Sequence, residues 1–266
     1  MPEHPDVPVF ILCGGLGTRL KEETEHRPKP MVPVGDRPIL WHIMRAYSAH
    51  GFRRFVLCLG FKGHVIKDYF LNYAALNSDF TVDLGTNEVE VHSVDHDQDW
   101  KVTLASTGEL NMTGSRVAQA AARYLGDAEH FAVTYGDGLT DADFDAEFAH
   151  HRSHGRIGTV LGVNPPTRFG QLKFEGDRVV HFDEKPELSD DRINGGFFFF
   201  RREFVDYLSA DPSCVLEREP LIRLAEDGQL EMFRHDGFWA CMDTQRDRDT
   251  LDGLWSEGNA PWKPAS

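Results

Sequence analysis

A short apolar run that breaks into glycine constrains this chain more than any other stretch. Val9-Phe-Ile-Leu-Cys13 reads as a buried strand; Gly14, Gly15 and Gly17 follow within four positions, then Thr18 and Arg19. Glycine lets a backbone turn tightly and approach a ligand, so successive N–H groups can point at an anion. A strand feeding such a loop is how α/β folds hold phosphates. Lys29 comes ten residues after Arg19, between Pro28 and Pro30, in what reads as an extended, restricted segment. An ammonium placed beside a glycine loop and an arginine makes a cradle for a polyphosphate. The loop is not a Walker A motif, because no Gly-Lys-Ser/Thr closes it. Nor is it a dinucleotide fingerprint: Gly-Gly-Leu-Gly-Thr-Arg ends on arginine where that fingerprint needs its last glycine.

At 266 residues the chain suits one large α/β domain. Its formal net charge of −15 excludes a general nucleic-acid binder, which needs a basic field. Small anionic substrates respond to local charge instead, and Arg19, Lys21, Arg27 and Lys29 cluster around the loop. Cys13, Cys58, Cys214 and Cys241 form no C-x-x-C pair, and the first two fall in apolar runs, as buried free thiols do. No signal peptide and no membrane-spanning apolar run is evident, so a soluble cytoplasmic protein is expected, with no membrane partner.

Taken in order, the pattern after the loop is helix, strand, helix. Asp36 is expected to cap a helix with Pro38 in its first turn, and Ile39, Leu40, Ile43, Met44 and Tyr47 keep helical spacing up to Gly51. Phe55–Leu59 reads as a second buried, parallel strand, and a helix follows from Phe61. This rhythm predicts an α/β fold, a Rossmann-like, mixed but mostly parallel sheet flanked by helices. Residues 79 to 105 interrupt it with short alternating segments, a small β hairpin insertion whose Asp95–Asp99 cluster reads as a solvated loop. Thr107–Arg116 is a polar, glycine-bearing turn before a helix from Val117 to Tyr124, with Thr113 as its cap.

Phe131-Ala-Val-Thr-Tyr-Gly-Asp-Gly138 is the second strong signal. Its strand ends in Asp137 between two glycines, which puts a carboxylate at the carboxyl edge of the sheet, where such folds bind ligands. Gly-Asp-Gly on its own also reads as a turn. A helix from Asp141 to His154 and a strand from Gly158 to Val163 continue the pattern. His150, His151 and His154 could share a helix face, but lacking a carboxylate partner they read as a solvated helix end. Phe197–Phe200 are core residues of a strand from Ile193 to Arg201. A helix from Glu217 to Asp227, a strand to Arg234 and a helix from Gln245 to Ser256 close the chain. Asp243 stands before the last helix and reads as a possible cap. No repeat or linker divides residues 1–266. They are expected to form one domain in three parts, over about 7–140, about 141–245, and a carboxyl-terminal helix and tail over about 245–266.

The strings Gly-Gly-Leu-Gly-Thr-Arg-Leu, Pro-Lys-Pro-Met-Val, Tyr-Gly-Asp-Gly, Arg-Phe-Gly, Glu-Lys-Pro, Asn-Gly-Gly-Phe, Gly-Phe-Trp and Met-Asp-Thr run from about Val9 to Lys263. Together they resemble the sugar-1-phosphate nucleotidyltransferases. Glu-Glu-Thr, Trp-His-Ile-Met, the Thr107–Arg116 turn and the Leu-Trp-Ser-Glu-Gly-Asn-Ala-Pro-Trp-Lys tail resemble the glucose-1-phosphate cytidylyltransferases among them. The turn departs from that pattern at Glu109-Leu-Asn and at Ser115.

The resemblance implies CTP and glucose 1-phosphate as substrates, Mg²⁺ as cofactor and a homo-oligomer, trimer or hexamer. It places the nucleotide against Leu12, Gly14, Gly15, Gly17 and Thr18 in the loop, and against Thr107, Gly108, Met112, Thr113, Gly114 and Arg116 in the turn. Backbone groups of the turn and the Arg116 guanidinium would read the cytosine edge. The sugar phosphate would lie against Tyr135, Gly136 and Gly170, with Glu184 on a sugar hydroxyl, Lys185 on the phosphate, and Asn194 and Gly195 across the ring. Asp137 and Asp243 would hold the metal, with Arg19 and Lys29 as the catalytic cations.

The sugar phosphate is already an anionic nucleophile, so the chemistry needs positioning and charge stabilisation rather than a general base. Other bases (uracil, thymine, guanine) and other sugar phosphates remain alternatives within the class. A nicotinamide-dependent oxidoreductase would need an acidic ribose-binding residue after the second strand, where Gly60-Phe-Lys stands instead. A nucleotide-sugar-binding regulator would not need the full set Arg19, Lys29, Asp137 and Asp243.

Overall fold

The computed structural model describes residues 4–15, 17–92, 99–164, 171–183 and 192–264. Seven strands form the central sheet: β1 Pro8–Cys13, β2 Arg54–Leu59, β3 Lys101–Ser106, β4 His130–Tyr135, β5 Gly158–Val163, β6 Ile193–Arg201 and β7 Leu230–His235. Their order across the sheet is β7-β5-β6-β4-β1-β2-β3. β6 runs antiparallel to both neighbours and the other pairings are parallel. This is the expected mixed, mostly parallel sheet.

Helices cover both faces. On one side lie α1 Ile39–Ala49, α2 Gly63–Leu71, α4 Phe144–His154 and α6 Gln245–Ser256; on the other lie α3 Thr113–Tyr124 and α5 Glu219–Glu226. The strand pattern dictates this. Val9, Ile11 and Cys13 enter the first core while Phe10 and Leu12 enter the second, because successive side chains of a strand point to opposite faces. Phe197 and Phe199 likewise face one core, Phe198 and Phe200 the other, and all four are buried. Their burial contributes on the order of 6–12 kcal/mol before chain entropy.

Chain order reverses direction at β1: β2 and β3 lie to one side, β4 to the other. Such a switch point opens a crevice at the carboxyl ends of the strands. Here those ends are the glycine loop after Cys13 and Gly136-Asp137 after Tyr135. Leu12 pairs with Tyr135 in register, and the Gly136 N–H donates to the Leu12 carbonyl at 3.1 Å.

Several local expectations are corrected. Asp36 caps nothing, because it turns the small ladder between Pro33–Val34 and Arg37–Pro38, and α1 starts from Pro38 without a side-chain cap. The turn before α3 ends earlier than expected: Thr113 is the first helical residue, and its hydroxyl is engaged elsewhere. α5 begins at Glu219, with Pro220 in its first turn, so Glu217 lies on the segment before it. Lys29 sits in a single 3₁₀ turn, Lys29–Met31, rather than in extended backbone; the extended residues are Pro28 before the turn and Val32 after it. The insertion is a two-stranded hairpin, Phe80–Asp83 with Glu88–Val91, while β3 joins the central sheet beside β2. Of the acidic cluster after it, residues 95–98 lie outside the described residues, and Asp99 pairs with Arg53 at 2.6 Å.

Candidate active site

Two carboxylates far apart in sequence are set side by side by a three-residue ladder. Gly138–Thr140, directly after Asp137, pairs antiparallel with Trp239–Cys241, and Cys241 faces Gly138. The Met242 N–H then donates to the Asp137 carbonyl at 2.9 Å, which delivers Asp243 beside Asp137. The cap of α6 is Thr244, in a reciprocal box with Asp247, so Asp243 is released from that task. Its carboxylate turns to the cations instead.

Lys29 Nζ donates to Asp137 Oδ2 at 2.6 Å and to Asp243 Oδ1 at 2.7 Å, and Arg19 Nη1 donates to Asp243 Oδ2 at 3.0 Å. Burial pulls the Lys29 ammonium down, but the Asp137 charge and the bonds to both carboxylates hold its pKa above the ordinary value. Burial pushes Asp243 up, and Lys29 with Arg19 outweighs it, so this carboxyl lies below its usual range. The formal charges of the four groups cancel. A nucleoside triphosphate adds several negative charges to such a set and therefore calls for a further cation. Asp137 and Asp243 offer the oxygen donors that a hard divalent ion takes. Sγ of Cys241 lies within 4.8 Å of oxygens of both, and burial followed by the Asp137 charge keeps that thiol protonated. Of the other loop cations, Arg27 turns away to Glu23 at 3.9 Å.

The glycine loop carries an unexpected load. Arg116, only 3% exposed, has no carboxylate partner among the described residues. Nη1 donates to the carbonyls of Gly108 (2.7 Å) and Leu59 (3.2 Å) and to Thr107 Oγ1 (3.1 Å); Nη2 donates to the carbonyls of Gly14 and Glu109, both at 3.1 Å. The guanidinium thus ties the loop after β1, the end of β2 and the turn after β3 together. A Cβ on Gly14 would lie 2.1 Å from Arg116 Cζ, and one on Gly60 2.3 Å from Nη1. Those two glycines make room for the guanidinium. At Gly15 a Cβ would meet nothing within 4 Å, so this position of the loop is open. Both of its terminal nitrogens are thus engaged by protein acceptors, and the same side chain lines the cavity beside the loop.

The other expected nucleotide contacts divide in the same way. Thr107 is buried, its hydroxyl donating to the Leu59 carbonyl at 2.9 Å. Gly114 packs against the segment before α5, where a Cβ would meet Cys214 Sγ at 2.6 Å. Gly17 has a φ of +62° and lets Thr18 start a 3₁₀ turn, Thr18–Leu20. Gly108 is also left-handed, at +88°, and Met112 is exposed. A cavity of about 120 Å³ brings Leu12, Gly14, Gly15 and Thr113 together with Lys29, Asp137, Tyr135 and Gly136. The loop and the strand ends therefore meet in one place.

On the sugar-phosphate side, Asn194 Oδ1 accepts from the Gly196 N–H at 2.8 Å, and the Gly195 carbonyl accepts from Trp239 Nε1 at 2.7 Å. Gly170, Glu184 and Lys185 lie outside the described residues. One residue that the motifs did not single out reaches the cavity wall. The Glu217 carboxylate accepts from Thr113 Oγ1 at 2.8 Å and from the Tyr135 hydroxyl. Its only sequence signal is an acidic residue ahead of Glu219-Pro220, easily absorbed into the helix.

The histidines are not a solvated helix end. His151 is buried, with its ring between His130 (3.2 Å) and Thr159 Oγ1 (2.9 Å), and His154 meets the same hydroxyl at 2.8 Å. Burial pulls His151 down to about 3, so it stays neutral in this network. Elsewhere His50 Nδ1 lies 3.4 Å from an Asp143 carboxylate oxygen and 3.6 Å from one of Asp145, in a corner where Asp143 caps α4.

Comparison with known proteins supplies the family. Residues 9–240 match the family described as nucleotidyl transferase. The glucose-1-phosphate cytidylyltransferase of Salmonella typhi is 48% identical over 253 residues, 95% of this chain and 97% of that protein. The protein of the same name from Salmonella typhimurium (strain LT2) matches equally, at 48% over the same shares. Among solved structures, HddC from Yersinia pseudotuberculosis superposes with a TM-score of 0.65 at 23% identity, over 94% of this chain and 99% of that one. The last likeness speaks to the fold alone.

Proposed function

We propose that this chain, which belongs to the nucleotidyl transferase family, transfers the cytidylyl group of CTP to α-D-glucose 1-phosphate, giving CDP-glucose and pyrophosphate. The observation that carries the reading is the convergence of Arg19, Lys29, Asp137 and Asp243 beside the glycine loop at the switch point of the sheet. Near-full-length likeness to two cytidylyltransferases supports the choice of base and sugar.

The reaction is an in-line displacement. A phosphate oxygen of the sugar phosphate forms a bond to the α-phosphorus of CTP, and the bond from that phosphorus to the bridging oxygen of the β-phosphate breaks. No proton need be removed from the nucleophile. Lys29 gives up one or both carboxylates to take the α-phosphate, where charge builds in the transition state. Arg19, exposed beside Asp243, takes the β,γ-phosphates, which depart as pyrophosphate. The turn that Arg116 holds presents backbone groups to the base, and Lys185 takes the incoming phosphate. Asp137 and Asp243 would hold a divalent ion, Mg²⁺ in this reading, which would supply charge neutralisation for the reacting phosphates.

No helix among the described residues is long and apolar enough to cross a membrane. A cytoplasmic homo-oligomer, trimer or hexamer, fits the resemblance. The test is Mg²⁺-dependent pyrophosphate release with glucose 1-phosphate against CTP, UTP, dTTP, GTP and ATP in parallel. Preference for CTP supports the reading. Preference for another nucleotide removes the cytidine assignment, and no release with any of them, or with other hexose 1-phosphates, removes the enzyme.

A further inference from the structure

We infer that Glu217 determines specificity at this site, by fixing the hydroxyls of Thr113 and Tyr135 as hydrogen-bond acceptors toward the ligand. The inference rests on the nucleotidyl-transfer reading and deepens it. The wall these residues form selects a group that donates a hydrogen, a hydroxyl of one of the two sugar rings.

Glu217 lies 104 residues from Thr113 and 82 from Tyr135, on a segment clamped to the start of α3. The Met112 N–H donates to the Pro212 carbonyl at 2.9 Å and the Ser115 N–H to the Cys214 carbonyl at 3.1 Å. The Leu216 N–H donates to Thr113 Oγ1 at 2.9 Å. These bonds occupy backbone donors that a helix start leaves without partners, so the segment is held by the helix it covers. Glu217 is thereby set between the two elements whose residues line the cavity, Thr113 on α3 and Tyr135 at the end of β4.

A hydroxyl alone is ambivalent, because it can rotate to donate or to accept. A carboxylate is not: ionised, it only accepts. Each hydroxyl must therefore aim its hydrogen at Glu217. Burial first, then the Glu217 charge, pushes the Tyr135 pKa far up, so the phenol keeps that hydrogen. The Thr113 oxygen is left with one lone pair, the other taken by Leu216. The Tyr135 oxygen also keeps acceptor capacity and lies beside the Asn194 amide. A ligand group that only accepts, such as a phosphate oxygen or a carbonyl, finds no donor in these two hydroxyls. A sugar hydroxyl does find its partner.

The ribose of the nucleotide and the ring of the sugar phosphate both offer that chemistry, so the experiment has two arms. For wild type and Glu217→Gln, kcat/KM is measured with CTP against 2′- and 3′-deoxy-CTP at fixed glucose 1-phosphate. The same is done with glucose 1-phosphate against its monodeoxy analogues at fixed CTP. Glutamine keeps the shape but adds a donor, which frees one hydroxyl to turn round. The preference for hydroxyl over deoxy substrate should fall by at least about tenfold in one arm and hold in the other, which names the ring. Tyr135→Phe, which removes an acceptor without touching Glu217, should collapse the same arm and stands in should Glu217→Gln fail to fold. Turnover by wild type with both ratios unchanged in both variants overturns the inference alone. Absence of turnover by wild type with any substrate pair overturns the underlying reading and the inference with it.

Discussion

The Arg116 clamp makes a quantitative prediction about Gly14. Five acceptors surround the two terminal nitrogens of this guanidinium, and the side chain is almost wholly buried. In Arg116→Lys one ammonium can satisfy at most three of them, so at least two charge-assisted bonds are lost. At about 1.5–3 kcal/mol each, the cost is about 3–6 kcal/mol. That is a large share of a stability of roughly 5–15 kcal/mol, and it lowers Tm by roughly 6–20 °C. Gly14→Ala should have the same root, since its methyl would stand 2.1 Å from Cζ and must displace the guanidinium. The two sites must therefore be coupled. In an Arg116→Met background the obstacle at Cζ is gone, and Gly14→Ala should cost at least about 2 kcal/mol less than in wild type. Thermal and urea unfolding of the four proteins of this cycle measure the coupling, and the KM for nucleotide should rise in each variant that loosens the clamp. An equal cost of Gly14→Ala in both backgrounds would refute the idea that this glycine exists to admit Arg116.

Two further outcomes follow from the same geometry. Asp137→Asn, Asp243→Asn and Lys29→Ala should each lose roughly 100-fold or more in turnover while unfolding cooperatively like wild type; full activity of purified Asp137→Asn would sink the metal assignment. Glu147 is wholly buried in α4, and neither carboxyl oxygen has a hydrogen-bond partner among the described residues. Burial raises its pKa well above the usual 4.5, so the native state keeps the proton and unfolding releases it. Its stability contribution is therefore fully present below about pH 4.5 and is lost as pH rises toward the folded pKa, by up to about 1.4 kcal/mol per pH unit. Glu147→Gln should remove this slope. Tm measured from pH 4 to 8 checks it, and parallel curves for the two proteins would show that Glu147 does not titrate on unfolding.

What could be read beforehand was whatever is local. The run from Val9 to Cys13 announces a buried strand because both faces are apolar, and Gly136-Asp-Gly138 places a carboxylate where that strand type must end. The Phe197–Phe200 run reads as core for the same reason. Cap assignments failed where another group took over, whether a distant one or an immediate neighbour. Thr113 looks like a helix cap until Glu217 and Leu216 arrive to take its hydroxyl, and Asp243 looks like one until Thr244 and Asp247 close their own box. The clamp that Arg116 forms was not legible, since five acceptors drawn from three separate segments leave no mark on its neighbours. His151 fared similarly, because its partners His130 and Thr159 come from two other strands. The sugar-phosphate residues Gly170, Glu184 and Lys185 were legible only as motif positions.

The short ladder that seats Asp243 beside Asp137 also sets when this protein can first work. Lys29 meets Asp137 across 108 residues and Asp243 across 214. At a synthesis rate of about 5–20 residues per second, roughly 10–40 s separate the emergence of Lys29 from that of its second carboxylate. Completion of the charge set is therefore a late event in synthesis, because the second carboxylate follows the lysine by most of the sheet's strands.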